Sequence, residues 1–212
     1  MKLAGVWLWV FTALAVLVGL ASYRYLVLGP AGAPSNVAAN RFAASALVLH
    51  ASLGATALIL GPAQFFASWR ARWPAWHRRS GTLYVTCCLI GGVAGLVLAA
   101  GTSAGPVGVA GFGLLAACWI GATANAWRFA RARNFAAHRR WMTRSFALTF
   151  AAVTLRLYLP LAIMAHIDMA AAYRAISFLC WVPNLAVAEL WLRQQGAVRT
   201  IPPLAGPSQS RG

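Results

Sequence analysis

The sequence predicts an all-α, polytopic membrane protein with six transmembrane helices, in which a duplicated two-helix hairpin forms a four-helix core. Three observations predict it. The chain has 212 residues, 61% apolar and only 9% charged, where a soluble domain carries about 25% charged residues. It contains six apolar runs of the ~20 residues needed to cross ~30 Å of hydrocarbon. Two of the segments between those runs align with each other without a gap. Composition alone excludes an ordinary water-soluble enzyme, and the hydrophobicity excludes a disordered polycation.

The spans are expected near residues 4–28, 43–68, 82–101, 107–129, 142–166 and 173–192. The first runs through VWLWVFTALAVLVGL, longer than the ~7–15 apolar residues of a secretory signal, and is read as a retained anchor. GPAGAPSN at 29–36 closes it. The second carries His50, Gly54 and Gly61 and ends at WRARWPAWHRRSG, residues 69–81. The third presents Gly91 and Gly95 as a small-xxx-small face and closes at GTSAGPVG, residues 101–108. The fourth leads into RARNFAAHRR at 131–140, and the fifth holds Arg156, Tyr158 and Pro160. HIDMAAAYR at 166–174 precedes the sixth, which holds Pro183, Asn184 and Glu189. Residues 1–192 thus form one transmembrane domain, and 193–212, ending IPPLAGPSQSRG, are expected to be a disordered cytoplasmic tail.

Cation placement sets the orientation. With the N-terminus inside, fourteen of the eighteen Lys and Arg residues fall on the cytoplasmic side. Only Arg24, Arg41 and Arg174 fall on the other, and Arg156 lies within a span. Both termini are therefore expected to be cytoplasmic, which an even number of crossings satisfies. The same bias, with attraction to anionic lipids of the inner leaflet, accounts for the net charge of +16. The bilayer, and not nucleic acid, is the expected partner. Cys87, Cys88, Cys118 and Cys180 all lie in apolar spans without CxxC spacing, as small packing residues do.

The duplication has an offset of 61 residues. RARWPAWHRRSGT from Arg70 and RARNFAAHRRWMT from Arg131 agree at eight of thirteen positions, including His77/His138, Arg78/Arg139 and Arg79/Arg140. The offset also pairs the amides Gln64 and Asn125. Both units run in the same direction through the membrane, which implies a pseudo-twofold axis along its normal. Such an axis would bring His77 and His138 to one depth where the third and fifth spans begin. Two facing imidazoles suit a bis-histidine haem b or a shared metal, with Arg78, Arg79, Arg139 and Arg140 placed for propionates. The same residues also make an ordinary membrane-surface collar.

Ionisable groups inside spans are functional candidates by default. His50 is expected ~12 Å and Arg156 ~15 Å below the outer surface, at 1.5 Å per residue. Asn184 falls at a similar depth, with Glu189 further in. Arg156 needs acceptors, for which Asn184, the carbonyl freed by Pro183, and Glu189 are available. A polar chamber built from His50, Arg156, Tyr158 and Asn184 is the functional counterpart of that structural role. It would take an anionic head group, a quinone or a second haem. Symmetry supplies no second ligand there, because Gly111 stands at the position equivalent to His50. Hydrolytic chemistry has no support: the chain has two acids, Asp168 and Glu189, expected on opposite sides, and no HExxH motif or phosphate-cradling loop.

The segments LGPAQFFASWRARWPAWHRRSGTLYV, HRRWMTRSFALTFAAVTLRLYLP and WVPNLAVAELWL resemble a bacterial family of predicted membrane proteins catalogued as domain of unknown function 2306. The resemblance covers roughly residues 45–192. Its most specific parts are the motif at 77–84 and the run at 138–144, and His50, His77, His138, Arg144, Arg156 and Asn184 match its polar pattern. It implies a multi-span bacterial inner-membrane protein and brings no activity. From the residues, the leading expectation is b-type haem-binding membrane electron transfer with a quinone or redox partner. A permease using the intramembrane Arg/Asn/His site, or a non-catalytic assembly partner, stands as the alternative.

Overall fold

The computed structural model describes residues 2–200, whose regular elements are all helical, with six helical segments long and apolar enough to cross a membrane. The helices are α1 (Lys2–Ser22), α2 (Arg24–Leu28), α3 (Ser35–Ala38), α4 (Val48–Leu60), α5 (Ala67–Arg72), α6 (Pro74–Ala100), α7 (Gly105–Arg131), α8 (Phe135–Thr149), α9 (Ala151–Met164), α10 (Met169–Leu179) and α11 (Val182–Thr200). Four of the candidate spans are interrupted, three between α-helices and one where α4 passes into a 3-10 turn.

α4 stops at Leu60 because Pro62 lacks an amide hydrogen, and a 3-10 turn over Pro62–Phe65 takes over. The short α5 then carries Trp69, which lies against Trp73 and Trp76 with ring centroids 6.2 and 6.1 Å apart. α8 passes into α9 at Phe150, where the backbone tightens. Thr149 and Thr154 there bond back to the carbonyls of Ser145 and Phe150 at 2.9 and 3.3 Å, a habit that bends helices. α10 and α11 part three residues before Pro183 is reached, at Cys180 and Trp181. Pro160, by contrast, sits inside a continuous α9.

Two reversals use a non-glycine residue in the left-handed region, Arg133 (φ 57°) after α7 and His166 (φ 52°) after α9. At each, the next residue's amide bonds back across the turn, Asn134 to Phe129 and Ile167 to Ala162, both at 3.0 Å. That closes the carbonyls a helix end leaves open. Asn134 and Asp168 then cap the following helices, accepting from the amides of Ala137 and Ala171 at 3.1 and 2.8 Å.

In the bundle, α6 packs against α4 on one side and α7 on the other, and α7 packs against α8. α1 covers α4, α10 lies on α7 and α9, and α11 lies on α8. Gly61 permits one close approach: a Cβ there would sit 2.5 Å from the Phe146 ring of α8. The core holds a buried polar cluster at the centre. The Tyr84 hydroxyl is 3.0 Å from Ser145 Oγ and 2.9 Å from Thr149 Oγ1, Trp119 Nε1 donates to Thr149 Oγ1 at 2.8 Å, and Thr123 Oγ1 is 2.7 Å from Ser145 Oγ. Such bonds hold helices together where lipid offers no hydrophobic drive between them.

Several expected boundaries move. The helices of the third and fifth spans begin at Pro74 and Phe135, ahead of the apolar runs near 82 and 142, so most of the supposed loops are helix ends. The last helix continues to Thr200, well past the expected start of a disordered tail at 193. Residues 201–212 of that expected tail lie outside the described residues.

Candidate functional site

His77 and His138 are each the fourth residue of a helix, α6 and α8, at the arginine-rich end of the bundle. His138 Nδ1 is 2.8 Å from the Ala126 carbonyl of α7. A carbonyl only accepts, so Nδ1 carries the hydrogen, and Nε2 is the nitrogen that offers the lone pair in the neutral ring. At His77, the Nδ1 atom is buried without a hydrogen-bond partner among the described residues. The residue one offset back from Ala126 is Phe65, and it lies in the 3-10 turn that replaces the end of α4. His77 is within electrostatic reach of Arg70, His138 and Arg78. Arg78, Arg79, Arg139 and Arg140 are exposed around this mouth. The two amides face different partners: Gln64 Nε2 donates to Ser80 Oγ at 2.9 Å, and Asn125 Nδ2 to the Gly121 carbonyl at 3.0 Å.

The opposite half of the bundle contains a chamber of about 230 Å³. His50 of α4 and Arg156 of α9 both line it, together with Tyr25, Asn40, Trp119, Thr149 and Tyr173. His50 is held by Gly91, whose carbonyl accepts from Nδ1 at 2.8 Å. Gly95 on α6 leaves room for the imidazole, and Gly91 lets α6 approach α4. A Cβ on Gly95 would stand 3.1 Å from His50 Nδ1, and one on Gly91 would meet Leu53 at 3.3 Å. Trp119 closes the inner wall, its ring edge-on to His50 with centroids 6.3 Å apart.

Arg156 Nη1 donates to the Ala152 carbonyl at 2.9 Å. The Tyr25 hydroxyl lies beside the same guanidinium and also accepts from Arg24 Nη2 at 3.2 Å. A second cation therefore stands next to the first, and neither has a carboxylate partner among the described residues. The chain's two acids are committed elsewhere: Asp168 caps α10, and Glu189 takes a bidentate bond from Arg144 through Nε and, at 3.0 Å, through Nη2. Of the acceptors the sequence offered Arg156, Glu189 is therefore taken by Arg144 instead. Arg144 starts nearer the arginine-rich end of its span, level with Glu189, while Arg156 lies further along on α9.

The expected chamber is also redrawn. His50 and Arg156 come together in it; Tyr158 and Asn184 do not line it. Tyr158 packs half-buried against the main core. Asn184 ties α11 to α9 and α10, donating to Thr154 Oγ1 at 2.9 Å and to the Cys180 carbonyl at 3.0 Å. The expectation missed Arg24, Tyr25, Trp119 and Thr149. Arg24 and Tyr25 belong to α2, which continues the first span beyond Tyr23, and their approach to Arg156 depends on how that span packs against α9. Gly111 faces α10, where a Cβ would collide with Ser177.

One spacing did carry a signal. Tyr84 and Ser145, and Cys88 and Thr149 (4.0 Å apart), are separated by 61 residues, the offset of the repeated segments. Members of an aligned pair meet at two levels of the core.

Comparison with known proteins adds a family. Residues 47–192 match the family described as Predicted membrane protein (DUF2306). No curated protein and no solved structure gave a match.

Proposed function

The chain belongs to the DUF2306 family of predicted membrane proteins, and on that premise we propose that it binds an anionic head group, phosphate or carboxylate, in the chamber between α4 and α9. The observation that supports this reading is Arg156, a guanidinium inside a membrane span with no carboxylate of its own chain available to it. A guanidinium offers five donors in a planar fork that matches an oxyanion bidentately. Neutral acceptors such as the Ala152 carbonyl leave its charge uncompensated in low dielectric. Tyr25 adds a hydroxyl at the same wall. Arg24 adds a second positive charge.

The test is thermal unfolding of detergent-purified protein with dihexanoyl phosphatidate or dihexanoyl phosphatidylcholine. The phosphatidate is expected to raise the Tm and the zwitterion to do little. Arg156→Leu should erase the phosphatidate response while leaving the ligand-free protein as stable or more stable, because it removes a half-buried charge with no carboxylate partner among the described residues. An equal response to both lipids, or one that survives Arg156→Leu, refutes the reading.

The arginine-rich end supports a second reading, a b-type haem between His77 and His138 in a membrane electron carrier. His138 has the orientation that axial ligands use, with Nδ1–H on a carbonyl and Nε2 left for iron. His77 lacks that orienting acceptor, and the donor set fits by half. A Soret band in protein from haem-replete cells, lost in His138→Ala, is the expected result; a colourless protein removes it.

A further inference from the structure

The chamber does not end at Arg156. A second cavity of about 490 Å³ lies between α1 and α9 and shares Arg24, Arg156, Pro34 and Leu159 with the first. Its other walls are apolar, with Leu17, Val18 and Ala21 on α1 and Pro160 and Ile163 on α9. Leu17 and Ile163 are 64% and 60% exposed on the outside of the bundle, the surface that faces lipid tails. The two arginines therefore form the shared wall between a polar chamber and a greasy cleft open to the side.

Resting on the anion-binding reading above, we propose that the occupant is an anionic lipid drawn laterally from the leaflet. Its phosphate or carboxylate sits at Arg156 and Arg24, and its alkyl chain stays in the cleft between α1 and α9. A free water-soluble anion has no use for a cleft lined by Leu17, Val18 and Ile163. An acyl chain does, since each methylene kept in apolar surroundings adds to affinity. A neutral lipid, conversely, would leave both guanidinium groups unmatched. The charge selects the head and the cleft selects the tail.

The experiment compares two probes with one head group, glycerol 3-phosphate and palmitoyl lysophosphatidate, on the full chain in phosphatidylcholine nanodiscs. The acylated probe is expected to bind roughly tenfold or more tightly than the bare head group. Ala21→Trp, which fills the cleft from α1, should bring the acylated probe down to the affinity of glycerol 3-phosphate without altering the latter. Ile163→Trp fills the cleft from α9 and serves if the first variant loses glycerol phosphate binding as well. Equal affinities for the two probes, or acylated binding unmoved in both Trp variants, overturn lateral entry and identify a soluble anion as the ligand. Failure of both probes to bind, or binding that persists in Arg156→Leu, overturns the anion site itself.

Discussion

Arg156 and Glu189 are the two charges the sequence places deepest, and the fold keeps them apart. Glu189 goes to Arg144, whose guanidinium also lies 4.7 Å over the Trp141 ring, and Arg156 is left facing a chamber. Charged residues in apolar runs are legible from sequence because they are expensive there. Their partners are not, since reach across helices depends on rotation and depth. His50 shows the same limit from the other side. Its depth was legible, but its seat depends on Gly95 having no Cβ. Gly95→Val is expected to press on the imidazole, break its bond to the Gly91 carbonyl and lower stability by about 1–3 kcal/mol. The check is a lowered Tm together with loss of the phosphatidate response; an unchanged Tm would mean the ring has other room. His166, a histidine that invites a functional role, is an exposed residue at a left-handed turn. His166→Gly should stabilise by about 0.5–1 kcal/mol by relieving that backbone conformation, measured as a raised Tm.

At the scale of elements, helix existence was legible in every span, and helix ends were not. The apolar runs mark where lipid is, but helices continue past it wherever the backbone has no reason to stop. Pro74 begins α6 well ahead of the apolar run, because proline is well suited to a first helical position. Pro62 ends α4 inside an apolar run, where composition gave no sign of an end. The α8–α11 contact is pinned by the Arg144–Glu189 pair, whose side chains are 18% and 34% exposed. Glu189→Leu alone leaves Arg144 unpaired, and a loss of about 1–2 kcal/mol is expected. Adding Arg144→Met should recover much of that loss, since an apolar pair can replace a buried ion pair. A double-mutant cycle by thermal unfolding measures the coupling. Additive effects would show that the two side chains do not act as a unit.

Across the whole molecule, the repeat leaves a trace and a departure. Residues 61 apart, the offset of the repeated segments, meet at Tyr84/Ser145 and Cys88/Thr149. The α6–α7 and α4–α8 contacts are nevertheless unlike. α6 and α7 pack broadly, whereas α4 meets α8 narrowly and the chamber opens beside that contact, between α4 and α9. The open face is the one that carries His50 and Arg156, so the asymmetry and the site coincide. That coincidence predicts opposite responses to added volume. On the closed face, a Cβ at Gly92 would fall 2.5 Å from Ile120 Cγ1, and Gly92→Ala should cost about 1–3 kcal/mol through overpacking. On the open face, Ala51 lines about 230 Å³ of chamber, and Ala51→Leu should leave stability unchanged or raise it by up to about 1 kcal/mol while abolishing the response to phosphatidate. Thermal unfolding of both variants with and without the lipid decides it. If Ala51→Leu destabilises as much as Gly92→Ala, the chamber is too well filled by its own walls to admit a ligand, and the two faces are packed alike.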